Sequence, residues 1–475
     1  MSDLIFSDSF FNGEFYKTDT RFSVDDPATE KSIVEVSDID EQGVNNAIAA
    51  AKGAFVKLKA TNATQRSETL MRWYELVIQY KQTLAELMTK EQGKPLKESL
   101  GEVEYGAGFI KWFAEQAKRS YGDVIPPTDN QHRLTSFKQP IGVVAGITPW
   151  NFPIAMVTRK VAPAYAAGCS FVLKPSEHTP LCALALAYLA DQAGFEKGAF
   201  NVLVSENAKM VGELLTESEC VRKFTFTGST GVGKQLLSQC ASTIKRTSME
   251  LGGNAPFIIF ENADLDEAVT GLMGAKFRNA GQTCVAANRI FVQRNVLDEV
   301  VKKLNEKVTS LKVASGFADD CDIGPLIYAK AKQKVQDLLS DAKQKGATQI
   351  NDVKELGGNF QAPVILTGVT PEMDIYHQEV FGPVVSIIAF DEEAEVLALA
   401  NDVPYGLAAY FYSQNIKQIY RVSEALEYGM VGINEGLISN PVAPFGGVKQ
   451  SGLGREGGHQ GLDEYLEEKY VCMKV

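Results

Sequence analysis

The sequence predicts an α/β protein with more than one domain and a mostly parallel sheet. The chain has 475 residues, and single hydrophobic cores stop growing beyond roughly 250–300 residues. Its composition, 45% hydrophobic and 22% charged, is typical of an ordinary globular protein. Beyond residue 141, short β-branched runs alternate with helical patterns of about 10–15 residues, which indicates βαβ units.

The chain before residue 121 is predicted to be helical, because apolar residues such as Leu70, Trp73 and Val77 recur at helical spacing. The predicted helices there cover 41–58, 64–92 and 97–120. Short apolar runs then predict strands, with helices between them. These strands are 141–147, 170–173, 200–204, 223–226 and 256–260, and the helices are 180–193 and 233–240.

The alternation breaks near Glu250 and resumes after Cys284, which indicates a second α/β domain. Its predicted strands are 289–292, 362–366, 384–390, 408–412 and 431–434, and its predicted helices are 296–313 and 392–401. The segment 462–475 is predicted to be an extended strand. Such a strand needs a sheet to join, in its own subunit or in a neighbouring one.

Charge and cysteine content exclude several functional classes. The net charge is −12, and no bulk basic face is available for nucleic acid. The seven cysteines include no C-x-x-C pair, which argues against a disulfide scaffold and against a zinc site, so no metal is expected. The first residues lack a secretory signal, and no apolar stretch of about 18 residues exists. We therefore expect a soluble, cytoplasmic protein without a membrane partner.

Two glycine-rich stretches imitate nucleotide-binding motifs. Residues 228–235 nearly match the phosphate loop G-x-x-x-x-G-K-[ST], but Gln235 replaces the hydroxyl that would hold magnesium. A phosphoryl-transfer enzyme is therefore only the alternative from a different class. Residues 452–457 match G-x-G-x-x-G, yet too little chain follows for a βαβ unit of about 30 residues, so we predict a turn. The strand–turn–helix junction at Gly228 either binds an anion or is a packing turn.

Four stretches occur together and in order: TPWNFP at 148–153, MELGGNAP at 249–256, GQTCVAANR at 281–289 and EVFGPV at 379–384. With them the sequence resembles the aldehyde dehydrogenase superfamily, from about residue 23 to the C-terminus. The resemblance implies a Rossmann-type dinucleotide-binding domain, a second α/β catalytic domain and a small β oligomerisation element, in a homodimer or homotetramer. The implied boundaries are 1–121 and 142–251 for the first, 252–450 for the second, and 122–141 with 459–475 for the third.

The residues of these stretches suit the chemistry of aldehyde oxidation. A thiolate converts the aldehyde into a thiohemiacetal that can lose hydride, and water then cleaves the thioester. Cys284 is the candidate thiol, and Glu250 is the candidate base for the thiol or for the deacylating water. Asn151 and the backbone N–H of Cys284 would form the oxyanion hole. The resemblance also implies a proton relay through Lys160 and Glu456.

The resemblance further implies an NAD(P) coenzyme. The positions assigned to its cleft are Thr148, Trp150, Lys174, Glu177, Gly228, Ser229, Gly233, Glu379 and Phe381. Lys174 and Glu177 match positions that hold the adenosine ribose. Because Glu177 would accept hydrogen bonds from a ribose 2′-OH and repel a 2′-phosphate, NAD is expected to be preferred, with NADP possible.

Arg159, Arg278 and Ser439 match positions that hold a distal carboxylate in the succinate-semialdehyde branch of the superfamily. The resemblance therefore implies oxidation of succinate semialdehyde to succinate, a small aldehyde with a terminal carboxylate. Glutarate semialdehyde is the alternative, because one methylene gives only about 1–3 kcal/mol of discrimination. Two further readings stay open: the arginines pair with structural acids, or the chain is a non-catalytic relative, against which the joint presence of Cys284, Glu250 and Asn151 argues.

Overall fold

Two large β-sheets organise the chain in the computed structural model, which describes residues 4–475. The strands, numbered β1 to β22 in chain order, are Ser9–Phe11, Glu14–Tyr16, Arg21–Asp26, Lys31–Ser37, Val124–Ile125, His132–Pro140, Val143–Ile147, Ser170–Lys174, Phe200–Val202, Val221–Thr227, Arg246–Glu250, Ala255–Ile259, Ala287–Gln293, Thr348–Gln349, Val364–Thr367, Val384–Phe390, Tyr405–Gly406, Ala408–Tyr412, Met430–Ile433, Val448–Lys449, Gly452–Leu453 and Leu466–Lys474. The predicted strands are confirmed, with ends that differ by a few residues.

The helices of the described residues pack against these sheets. Numbered α1 to α15, they are Glu41–Leu58, Ala63–Gln79, Lys81–Gln92, Leu96–Gln116, Ala155–Ala167, Pro180–Gln192, Ala208–Glu217, Thr230–Cys240, Leu265–Phe277, Leu297–Thr309, Ala329–Gln344, Asp374–His377, Glu393–Asn401, Ile416–Ala425 and Gln460–Asp463. In the part of the chain that the structure describes, none has the length and hydropathy that a bilayer crossing requires.

The prediction of one helix over 64–92 is wrong. The chain leaves helical geometry at Tyr80 (φ −93°, ψ 15°), which ends α2 and begins α3. The apolar spacing continues across the break because both helices bury their apolar faces in one core, with Trp73 from α2 and Leu84 from α3. Spacing alone therefore could not reveal the turn.

The first large sheet has the order β2-β1-β9-β8-β7-β10-β11-β21, and its central strands from β9 to β11 are parallel. The second has the order β14-β15-β16-β13-β12-β18-β19 and is parallel except for β14. The chain passes between them after Glu250, where β11 ends and β12 begins at Ala255. This is the point at which the sequence pattern breaks.

The C-terminal strand β22 belongs to a third, three-stranded sheet. The strand β22 runs antiparallel to β6 of its own chain, which in turn pairs with β5.

The glycine motif at 452–457 begins with a short strand. Gly452 and Leu453 form the edge strand β21, which pairs with Glu250 and Met249 of β11. A side chain at Gly452, which has φ +141°, would overlap the Met249 carbonyl. The segment is therefore no dinucleotide fingerprint, but the prediction of a turn is wrong, because its first two residues pair with β11 as a strand.

Candidate active site

A cavity of about 450 Å³ lies where the adjacent parallel strands β7, β10 and β11 end. Open α/β sheets bind ligands at the carboxyl ends of their strands. Eight of the sequence-predicted site residues line this cavity: Asn151, Trp150, Gly228, Ser229, Glu250, Cys284, Glu379 and Phe381. The four motifs therefore meet at one place, although they are spread over about half of the chain.

Glu250, at the end of β11, is only 3% exposed. Both of its carboxylate oxygens are buried and have no hydrogen-bond partner among residues 4–475. Burial, followed by the charge of Glu456, raises the pKa of Glu250 well above its ordinary value. An unpartnered carboxyl group with a raised pKa is suited to accept a proton in the cavity.

Cys284 lies in the turn after the short helical segment Arg278–Gly281. Burial raises the pKa of its thiol to about 12, although the nearby charge of Arg159 acts in the opposite direction. The thiol is therefore protonated at neutral pH and needs a base before it can act as a nucleophile. Because the pKa of Glu250 is raised as well, the difference in pKa between this base and the thiol is smaller, which favours transfer of the proton.

Asn151 follows β7, and its side-chain amide Nδ2 donates to the Gln282 carbonyl over 3.0 Å. Gln282 precedes Cys284 by two residues, so this bond ties the amide to the turn that carries the thiol. An amide nitrogen has two N–H groups. One remains for an oxygen bound beside Cys284.

The two residues of the implied relay lie behind Glu250 rather than on the cavity wall. Lys160 pairs with Glu456 and donates to the Thr225 hydroxyl over 2.9 Å. Burial opposes ionisation of Glu456, but the charges of Arg159 and Lys160 outweigh it and lower its pKa. Burial lowers the pKa of Lys160. The Glu456 charge is thus held next to Glu250 by two buried cations.

Arg159 on α5 and Arg278 lie close enough for both charges to act on the Cys284 thiol. Arg159 pairs with Glu456 and stacks on an aromatic ring, so one part of its guanidinium is occupied by a structural acid. However, Nη2 of Arg159 and Nε of Arg278 are buried without a hydrogen-bond partner in the described residues. Buried unpaired N–H groups are costly, so they fit a site that a ligand completes.

Tyr105 completes this cluster, and sequence reasoning missed it. Burial raises the pKa of Tyr105, while the charges of Arg159 and Arg278 and a polar contact with Ser439 oppose the rise. The half-buried Ser439 is thus brought to the same place as the two arginines. Tyr105 belongs to α4, which carries three other aromatic residues, so nothing in the sequence distinguishes it from them.

The residues assigned to a coenzyme are arranged along the same strand ends. Ser229 is the N-cap of α8 without a side-chain cap, which leaves the first N–H groups of that helix available to an anion such as a pyrophosphate. A Cβ atom at Gly252 would approach the Glu379 carboxylate to 2.9 Å, so glycine keeps this part of the cavity open. The free N–H groups at the start of α8 and the open space beside Gly252 therefore fit a dinucleotide.

Four of the predicted coenzyme residues do not line the cavity. Thr148 is buried, and its backbone N–H donates to the Lys174 carbonyl. Lys174 and Glu177 lie at the end of the next strand, β8, and form an ion pair of 3.2 Å. Gly233 lets α8 pack closely on Leu251, so its visible contribution is packing.

Glu379 and Phe381 form the opposite wall together with residues that sequence reasoning missed. Burial raises the pKa of Glu379 to about 7, and the charge of Lys334 opposes this rise. Lys334 also donates to the Glu379 carbonyl over 2.6 Å. Phe381 has φ +55° and contacts the Trp150 ring edge-on at 5.6 Å. Tyr328 closes the same wall.

The phosphate-loop alternative gains no support from this geometry. Lys234, which would have to reach a phosphate, is exposed and donates to the Gln450 side chain over 2.9 Å. It does not line the cavity.

Comparisons with known proteins agree with the site. The chain matches the aldehyde dehydrogenase family over residues 15–471. It is 50% identical over 476 residues to the protein named succinate-semialdehyde dehydrogenase NADP(+) GabD of Escherichia coli, across 99% of this chain and 98% of that one. It is also 50% identical over 469 residues to a glutarate-semialdehyde dehydrogenase of Pseudomonas putida, across 98% of each. The crystal structure of succinate-semialdehyde dehydrogenase from Burkholderia pseudomallei superposes with a TM-score of 0.98 at 49% identity, covering 100% of this chain and 99% of that chain.

Proposed function

This chain belongs to the aldehyde dehydrogenase family, which confirms the fold and the enzyme class that the sequence predicts, and we propose that it oxidises succinate semialdehyde to succinate. One observation carries the choice of substrate. Buried N–H groups of Arg159 and Arg278 lack partners in the described residues, and both side chains lie near the Cys284 thiol. A substrate carboxylate would satisfy them with charge-assisted hydrogen bonds. Names of relatives at 50% identity support the same substrate class.

In this proposal Glu250 takes the thiol proton, and the sulfur of Cys284 adds to the aldehyde carbon. The carbonyl oxygen becomes an oxyanion, which receives hydrogen bonds from the Asn151 amide and the main-chain N–H of Cys284. A bound nicotinamide coenzyme supplies the hydride acceptor that turns this adduct into a thioester. Glu250 then removes a proton from water, which releases succinate and frees Cys284. In this proposal Lys160 and Glu456, whose charges act on Glu250, carry away the thiol proton before Glu250 meets the water, and they carry away the water proton afterwards.

We assign the remaining parts of the chain accordingly. Residues 1–121 and 142–251 would form the NAD(P)-binding domain, and residues 252–450 the catalytic domain. Residues 122–141 and 459–475 contain the third sheet, whose outer strands expose Val124 (88%), Tyr470 (59%) and Met473 (55%). Exposed apolar strands are typical of an interface. We therefore propose a homodimer or homotetramer assembled through this sheet.

Arg278→Ala is expected to lower kcat/KM for succinate semialdehyde by about 10²-fold, because each charged hydrogen bond contributes roughly 1.5–3 kcal/mol. The value for butanal, which has the same chain length and no carboxylate, should change little. Steady-state kinetics with both aldehydes on the same preparation test this. Equal losses for the two aldehydes would mean that the arginine supports the fold, and the choice of substrate would lose its basis.

Glutarate semialdehyde belongs in the same assay, since one relative is named for it. We expect the wild-type enzyme to accept both acids, with a higher kcat/KM for succinate semialdehyde and a difference of about tenfold or more. A higher value for glutarate semialdehyde would move the proposal to that substrate while leaving the carboxylate clamp intact.

NAD is proposed to be the preferred coenzyme, because the Glu177 carboxylate is 34% exposed at the end of β8 and would repel a 2′-phosphate. The Escherichia coli relative is named for NADP(+), so the two coenzymes need a direct comparison. We expect a higher kcat/KM with NAD, and we expect Glu177→Gln to shift the ratio toward NADP by about tenfold, which corresponds to about 1.4 kcal/mol. An unchanged ratio in the variant would show that Glu177 does not face the adenosine ribose.

A further inference from the structure

A buried polar cluster lies behind the wall that carries Asn151, in residues that line no part of the cavity. It is centred on Lys94, which follows α3 and is 2% exposed. The ammonium of Lys94 donates to the main-chain oxygen of Asn151 over 2.7 Å and pairs with Glu102 on α4. It also lies 4.0 Å from the centre of the Phe152 ring. A buried cation therefore binds the main-chain oxygen of Asn151, whose side chain lines the same cavity as Cys284.

Glu102 binds the other end of the same turn. One of its oxygens accepts the backbone N–H groups of Ile154 and Ala155, at 3.0 and 3.2 Å. These N–H groups open α5, the helix that carries Arg159 and Lys160. The Lys94–Glu102 pair thus fixes both ends of the turn 151–155, since the cation holds a carbonyl and the carboxylate holds two N–H groups.

Asn279 links the cluster to the turn that carries Cys284. Its side-chain Nδ2 donates to the same Asn151 oxygen over 2.9 Å, and its Oδ1 accepts from Gln92. Its backbone stands in the left-handed region, with φ +52°. A residue other than glycine keeps such a conformation only where the surroundings enforce it. The turns that bear Asn151 and Cys284 are therefore tied together through one carbonyl oxygen.

Stability alone does not explain a buried ion pair at this place. Replacing such a pair by well-packed apolar residues is often neutral or stabilising, because desolvation of two charges offsets their attraction. A fixed geometry at the reacting centre is a different benefit, since a displacement of about 1 Å there can cost about 10²-fold in rate.

We propose that Lys94 is a positioning residue for the oxyanion hole: with Glu102 and Asn279 it holds the main-chain oxygen of Asn151, and so aims the Asn151 amide at the site beside Cys284. The inference rests on the proposed function, because it acts through the role given there to Asn151.

The test is a double-mutant cycle of Lys94→Met and Asn151→Ala in the full-length enzyme. Lys94→Met alone should lower kcat by about 10–100-fold and change KM and the dissociation constant for NAD little. When Lys94→Met is added to Asn151→Ala, kcat should fall by only about threefold or less, because the amide that Lys94 positions is already absent. Arg66→Met is the matched control: the Arg66 guanidinium binds the Ala166 and Thr61 carbonyls near the far end of α5, and its loss should leave kcat unchanged.

A second variant guards against failure of Lys94→Met to fold. Asn279→Gly tolerates φ +52° and removes the other donor to the Asn151 oxygen, so the same non-additive loss of kcat is expected. Equal losses in the presence and absence of the Asn151 amide, or a kcat for Lys94→Met as high as that of Arg66→Met, would overturn the inference alone. Full activity in Asn151→Ala itself would instead remove the proposed oxyanion hole.

Discussion

Replacing Cys284 by alanine is expected to abolish aldehyde oxidation while NAD still binds. None of the other six cysteines lines the cavity, so no second thiol can form the thioester. Alanine removes only the Sγ atom from a half-buried turn, and the fold should survive. Formation of reduced coenzyme by absorbance, and NAD binding by quenching of tryptophan fluorescence, measure the two properties separately.

The control is Cys321→Ala, which removes a buried thiol that hydrogen-bonds the Ala314 carbonyl away from the cavity. This variant should keep its turnover. If Cys284→Ala retained more than about a tenth of the wild-type kcat, the covalent mechanism would be wrong, because the loss would be no greater than about 1.4 kcal/mol.

Glu250→Gln is expected to lower steady-state turnover by about 10²–10⁴-fold, the usual contribution of a general base. The amide keeps the size of the side chain but cannot take a proton from the thiol or from water. Because both carboxylate oxygens are buried without partners in residues 4–475, no other hydrogen bond is lost with the charge. Measurement of the first turnover and of later turnovers shows whether acylation or deacylation is slowed more.

The pH dependence of the wild-type enzyme follows from the same carboxyl group. Burial and the Glu456 charge raise the pKa of Glu250, and only the ionised form is a base, so kcat should rise with pH through this elevated pKa. Glu456→Gln removes the neighbouring negative charge. The midpoint of the rise should therefore move to lower pH in that variant. A midpoint that stayed in place would show that another group controls the profile.

Three of the residues that line the cavity could be located from the sequence because they follow parallel strands. Asn151, Gly228 and Glu250 come after β7, β10 and β11, and the carboxyl ends of neighbouring parallel strands meet at one edge. Residues that are far apart in the chain are thereby brought together by the sheet order, and short motifs at strand ends are enough to locate the cavity.

Other features depended on contacts that leave no mark in the sequence. Lys94 holds a main-chain oxygen, and any residue type at position 151 would supply that oxygen. Tyr105 meets the arginines only because α4 packs against α5. Arg159 was predicted to bind the substrate carboxylate, yet it also pairs with Glu456 from the far end of the chain. Such pairings follow from tertiary packing rather than from local pattern.

The most direct test of the proposed chemistry is to trap the thioester. Glu250→Gln mixed with NAD and succinate semialdehyde, quenched in acid and digested, should yield the peptide that contains Cys284 with the added mass of one succinyl group. Cys284→Ala treated in the same way should yield no modified peptide. Formation of succinate without any succinyl group on Cys284, or a succinyl group on a different cysteine, would contradict the mechanism.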